Sequence, residues 1–262
     1  MNSTHGATHR RLLIAFAWGA LLIGLALGCE EPRSTPATGG PLGNGQKLYS
    51  QHDEELIIRD FFKDRRGGFF VDVGCYDYQD LSTTFYLEKH LGWSGMGIDA
   101  NQDLRADYER YRPRTQFENY VVTDQSGGTH TFYLNVGGEG ISSVSRRWIV
   151  DFLDTFFPNA QPKIREVEVP AITLNDLLEQ NGVTEIDFLS MDIEGHEPAA
   201  LAGFDIERFA PELVCIEAPQ NPEPILDYFE KHGYRRIDRY QEFDRVNWYF
   251  QPATQKQLRS AP

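Results

Sequence analysis

Phe69-Phe70-Val71-Asp72-Val73-Gly74-Cys75 is the stretch whose reading decides the fold. A short apolar run, broken only by Asp72 and stopped by a glycine, is the pattern of a strand buried on both faces. Gly74 then lets the chain turn tightly and lets a ligand approach the backbone. Outward from this strand, helical and extended patterns alternate. Glu54 to Phe62 carries apolar residues at helical spacing. Leu81 to Leu91 reads as a helix, Gly95 to Asp99 as a strand, and Leu104 to Tyr111 as a helix ended by Pro113. Phe117 to Val122 and Thr129 to Val136 read as strands joined through the Gly127-Gly128 turn. Thr173 caps a helix reaching Glu179, and Ile186 to Met191 and Leu213 to Glu217 are further buried strands. A helix from Pro224 to His232 follows; then Tyr234 to Arg239 and Val246 to Gln251 come with no helix between them. The order predicts an α/β fold with a doubly wound, mainly parallel sheet and a terminal antiparallel hairpin at its edge.

The chain has 262 residues, room for one domain of about 200 residues plus a tail. With 40% hydrophobic and 13% aromatic residues it can bury a core, which argues against general disorder. A formal net charge of -14 without a long basic run argues against nucleic acid as partner. Cys29, Cys75 and Cys215 have neither metal-site spacing nor the look of a disulfide framework; Cys75 and Cys215 read as packing residues. Residues 1–29 read as a targeting segment. Arg10 and Arg11 precede an uncharged apolar run from Leu12 to Leu27, which as a helix would cover only about 24 Å. The run ends Leu25-Ala26-Leu27-Gly28-Cys29, which resembles a bacterial lipoprotein signal, with Ala26 where leucine is usual. A membrane-associated lipoprotein of the cell envelope, or a single amino-terminal anchor, is therefore expected. Residues 30–45, rich in Pro, Gly, Ser and Thr, read as a flexible linker, and residues 46–262 as the folded domain.

In such sheets ligands bind beyond the carboxyl ends of the strands, near the reversal of strand order. The first strand delivers Asp72, Gly74, Cys75 and Asp77 to that edge. The helix expected to start near Ser82 would point free N–H groups at the ligand. The second strand delivers Asp99, followed by Asn101; an acid there suits the two hydroxyls of a ribose and repels a phosphate. A third cluster, Ser190-Met191-Asp192-Ile193-Glu194-Gly195-His196-Glu197, ends a buried strand and places Asp192 at its carboxyl end. So many charges in six residues repel one another, which favours a functional reading over a solvated helix start.

Three blocks in order carry a resemblance: Phe70-Val71-Asp72-Val73-Gly74, Gly92-Trp93-Ser94-Gly95 leading to Asp99-Ala100-Asn101, and Asp187 through Glu197. Together they are similar to the FkbM methyltransferase family over roughly Phe69 to Glu217. The resemblance implies a Rossmann-like fold, S-adenosylmethionine as cofactor, and methyl transfer to an oxygen of a sugar, glycan or related metabolite. Carried over by position, Asp72, Gly74, Cys75 and the loop to Asp77 would surround the methionine part. Asp99 would hold the ribose, Asn101 and Asp124 would lie near ribose and adenine, and Asp192 would face the transferring methyl. Tyr78 departs from the family, which often has a glycine closing this loop.

Methyl transfer is an in-line displacement, so positioning supplies much of the rate, and a hydroxyl nucleophile must also lose its proton. His196 is the expected general base, with Glu197 or Glu194 holding its other nitrogen. A metal-free base is the favoured reading. In the competing one, Asp192 and Glu194, with or without His196, bind Mg²⁺ or Mn²⁺. Trp148, Phe152 and Phe156 recur at helical spacing and read as core packing, within a segment from Gly137 to Pro162 suited to covering a substrate. Arg10 and Arg11 predict export of the domain, whereas S-adenosylmethionine is made in the cytoplasm. That conflict keeps a second class open: a tethered, non-catalytic module binding a nucleoside or glycan.

Overall fold

The computed structural model describes residues 42–136, 141–159, 161–217 and 222–254. The chain runs through α1 (Glu54–Phe62), β1 (Phe69–Val73), α2 (Phe85–Leu91), β2 (Ser94–Ile98), α3 (Arg105–Tyr111) and β3 (Thr115–Glu118). Next come β4 (Val121–Val122), β5 (Thr129–Asn135), α4 (Arg146–Phe156), β6 (Ile164–Ile172) and α5 (Leu174–Gln180). The last part comprises β7 (Phe188–Met191), α6 (Glu197–Ala202), α7 (Ile206–Phe209), β8 (Leu213–Glu217), α8 (Glu223–Lys231), β9 (Tyr234–Arg236) and β10 (Asn247–Pro252).

Seven strands form one sheet in the order β3-β2-β1-β7-β8-β10-β9. The five from β3 to β8 are parallel, and β10 is antiparallel to both β8 and β9. This is the expected doubly wound sheet with its terminal hairpin. From β1 the chain builds outward to β2 and β3, then returns to place β7 on the other side of β1. The reversal of strand order therefore falls between β1 and β7.

Alternation along each strand feeds two cores. Val71, Val73, Met96, Ile98, Leu189, Met191, Val214 and Ile216 pack on one face with residues of α5 to α8. Phe70, Phe188, Leu213, Cys215 and Tyr249 pack on the other with α1, α2 and Trp93. Both faces being covered explains why these strands read as continuous apolar runs. Leu42 packs on that second core, and Asn44 Nδ2 donates to the Leu56 carbonyl, so the last residues of the expected linker lie on the domain.

Several elements differ from the sequence reading, which also lacked the short helices α6 and α7 between β7 and β8. The strand expected over Phe117–Val122 is two strands in separate sheets, and no hairpin joins β4 to β5. Instead β6, which the sequence reading missed, lies between them, parallel to β4 and antiparallel to β5. The helix expected from Leu81 begins at Phe85, and the Ser82 hydroxyl accepts the Phe85 N–H in the turn before it. Of the N–H groups expected to face a ligand, that of Phe85 is thus answered from within the chain. In α4 the buried residues are Ile149 and Leu153, while Trp148 and Phe152 lie half-buried beside them and Phe156 is exposed. The Gly137–Gly140 stretch lies outside the described residues.

Candidate active site

The carboxyl ends of β1, β2, β7 and β8 bring the site together. At β1, Gly74 has φ +84°, and a Cβ there would stand 1.8 Å from the Asp192 carbonyl oxygen. The close approach that requires glycine is thus made by the loop after β7. Asp72 is buried: Thr84 donates to Oδ2 at 2.7 Å and the Ser190 hydroxyl also bonds the carboxylate. Burial raises its pKa against those bonds and the pull of Arg112. Arg112, itself buried, pairs with Glu88 at 2.6 Å and donates to the Tyr78 carbonyl, which fixes the loop over β1. Tyr78 stacks on Tyr111 with ring centroids 4.6 Å apart. Cys75 turns away from the strand ends toward Tyr108 and Phe117, and burial pushes its thiol pKa well up. Asp77 accepts the N–H groups of Gln79 and Asp80, closing the loop.

At β2, Asp99 is half-buried and held by two backbone donors: Asn101 N–H on Oδ1 at 2.7 Å and Tyr76 N–H on Oδ2 at 3.1 Å. Burial nevertheless raises its pKa to about 6. Asn101 uses Oδ1 to cap the following 3₁₀ turn through Asp103 N–H. Asp124, exposed just past β4, accepts from Thr123 Oγ1.

After β7 the chain turns with Glu194 at φ +58° and Gly195 at φ +88°. A Cβ on Gly195 would meet the Trp148 indole nitrogen at 2.8 Å, so α4 packs on this turn, and Ser143 Oγ donates to the Glu194 carbonyl. Asp192 has exposed surface, yet enough protein surrounds its carboxylate that desolvation, with Asp72 adding repulsion, raises its pKa to about 6. Glu217, at the end of β8, hydrogen-bonds the Asp192 carboxylate and is shifted upward by burial and by Asp192, Glu194 and Glu197. A bond between two carboxyl groups requires a shared proton. Glu194 is likewise raised, first by burial and then by Asp192 and Glu197.

His196 does not meet Glu194 or Glu197. Its Nε2 lies 3.2 Å from Thr123 Oγ1, and its ring is 6.3 Å from that of His130. Burial lowers its pKa, keeping the ring neutral at pH 7. Glu197 is fully buried, and its Oε1 accepts the N–H groups of Ile193 and Gly195, which is why it cannot hold His196. Among the expected residues, then, Asp72, Gly74 and Asp192 meet at the strand reversal, with Asp99 one strand away. Cys75, Asp77 and Asn101 serve the loops, and Asp124 and His196 gather near Thr123. The sequence reading included Ser190 in its third cluster without assigning it a role, and gave Glu217 none. Glu217 carried the same signal as Asp99, an acid at the end of a buried strand.

A doubly wound sheet with acids at or near the carboxyl ends of β1, β2 and β7 has the arrangement of an α/β protein that binds its ligand at the strand reversal. The model of the methyltransferase FkbM domain matches residues 72–236, more than half of the chain. The chain belongs to the FkbM methyltransferase family, a family of S-adenosylmethionine-dependent methyltransferases. Comparison with curated proteins returns no match. Among solved structures, the chain is similar to a TehB-like SAM-dependent methyltransferase from Corynebacterium glutamicum. The identity is 13% and the TM-score 0.42, covering 79% of this chain and 90% of that one. A precorrin-6y C5,15-methyltransferase from Geobacter metallireducens is similar at 9% identity and TM-score 0.39, covering 82% of this chain and 90% of that one.

Proposed function

We propose that the protein transfers a methyl group from S-adenosylmethionine to a hydroxyl oxygen of a sugar, glycan or related metabolite. The observation that carries the reading is Asp99, a carboxylate fixed by two backbone donors at the end of β2, beside the strand reversal. The donor set suits this cofactor. Asp99 keeps acceptor capacity for a ribose diol, and the acids after β7 and β8 complement a cationic sulfonium and ammonium. When bound, the cofactor supplies an electrophilic methyl group.

The chain's own residues do the rest. Asp192 stands at the β1–β7 reversal, where its charge favours the cationic centre. His196, neutral and with one ring nitrogen against Thr123, accepts the acceptor hydroxyl's proton at the other. Asp124 favours the imidazolium that results. Trp148 and Phe152, stacked at 5.2 Å over the Gly195 turn, offer a flat apolar surface to a sugar ring.

The tether belongs to the same reading. Among the described residues no helix is long and apolar enough to cross a membrane, and the run from Leu12 to Leu27 lies outside them. Attachment through lipid on Cys29 in the cell envelope rests on the Leu25–Cys29 pattern. The reaction is tested by offering labelled S-adenosylmethionine with a panel of hydroxylated and amino glycans. Label in an alkali-stable ether supports the reading, and label confined to amines or carboxylates overturns it.

A further inference from the structure

Four carboxylates gather where β7 and β8 end. Asp192, Glu194 and Glu217 each place an oxygen so that the three lie within 4.8 Å of one another. A six-coordinate Mg²⁺ with oxygens at about 2.1 Å sets neighbouring ligand atoms roughly 3 Å apart and opposite ones roughly 4.2 Å apart. The three oxygens therefore span little more than one coordination sphere. A second observation is independent of that spacing. Glu197 is 0% exposed, and its Oε2 has no hydrogen-bond partner. Its Oε1 takes the N–H groups flanking Glu194, at 2.8 and 3.3 Å, so the carboxylate is enclosed by the turn that carries Asp192 and Glu194. Its charge is felt by Glu194 and Glu217, and it in turn feels that of Asp192.

No ion pair among the described residues answers any of the four. The half-buried Arg65 is engaged with Asp187 and Glu212, and the buried Arg112 with Glu88. A buried carboxylate oxygen left without donor or counter-charge is costly, and a hydrated cation supplies both.

We infer that Asp192, Glu194 and Glu217 hold a hard divalent cation of the Mg²⁺ or Mn²⁺ class, with a water of its shell donating to Oε2 of Glu197. An all-oxygen donor set selects such ions over softer metals, and Mg²⁺ commonly keeps several waters. His196 is outside the set, since its Nε2 is turned to Thr123. The ion site stands on these carboxylates; its place beside the reacting methyl rests on the function proposed above.

The test uses the full-length protein, stripped of metal by a chelator and titrated with Mn²⁺ alone while the electron paramagnetic resonance of free Mn²⁺ is followed. The expected result is one saturable site that Mg²⁺ competes for. Glu217→Gln and Glu194→Gln should weaken it by about tenfold or more. The exposed control Glu168→Gln should leave it unchanged. Thermal melting checks that each variant is folded. A folded wild-type protein that binds no Mn²⁺ saturably, or folded variants that bind it as tightly as wild type, overturn the inference. Should the variants fail to fold, wild-type binding and Mg²⁺ competition still decide. Calorimetry with S-adenosylmethionine on the same preparation separates the two readings: cofactor binding without Mn²⁺ binding removes only the ion, and the converse removes only the cofactor.

Discussion

Gly74 and Asp192 meet backbone to backbone: a Cβ on Gly74 would lie 1.8 Å from the Asp192 carbonyl oxygen. The loops after β1 and β7 thereby fix each other, and Asp192 is held relative to Asp72 and Asp99 by a contact that admits no side chain. Gly74 also has φ +84°, which strains any other residue. Gly74→Ala should cost about 3 kcal/mol or more by urea unfolding, from strain plus displacement of the second loop. Near-wild-type stability in that variant would mean the two loops are free to move apart.

The Asp99 carboxyl makes affinity and stability depend on pH with opposite sign. Its folded pKa, about 6, lies above the unfolded value of about 3.9. Between these values the folded state binds more protons. The stability it contributes is fully present below the lower value and is lost as pH rises through about 6. Cofactor affinity runs the other way, because the ionised carboxylate is the better acceptor for hydroxyls. Affinity for S-adenosylmethionine should fall by about tenfold from pH 8 to pH 5. Asp99→Asn should flatten both trends, and a wild-type titration as flat as the variant's would refute the assignment.

His196 is the proposed proton acceptor, placed near Thr123 and Asp124. His196→Gln should lower kcat by about 100-fold or more while leaving cofactor affinity intact. Turnover at the wild-type level would exclude the imidazole from the proton transfer.

Lipid attachment is expected at Cys29. Cells fed labelled palmitate should label the wild-type chain and not Cys29→Ser. Labelling of both would place the lipid elsewhere.

What could be read from the residues follows from burial. β1 and β8 were legible to the residue because strands covered on both faces are continuous apolar runs. Thr173 was legible as a cap because its hydroxyl has a local task, accepting Asp176 N–H. β6 was not: Arg165, Glu166, Glu168 and Pro170 on its exposed positions dilute the apolar signal. The break between β3 and β4 falls at Asn119-Tyr120, with no glycine or proline to mark it. Asp99 and Asp192 were legible as acids ending strands. The partner of His196 was not, because Thr123 lies 73 positions away and meets it only through the second sheet. Trp148 misled in the same way, since its place over Gly195 depends on how α4 returns to the β7 turn.

The most direct test of the central claim is calorimetric titration of S-adenosylmethionine into the full-length protein, with Asp99→Ala beside it. The account predicts saturable binding by the wild-type chain and its loss in the folded variant. Equal binding by both would remove Asp99 from the cofactor site, and no binding by a folded wild-type chain would contradict the methyltransferase reading itself.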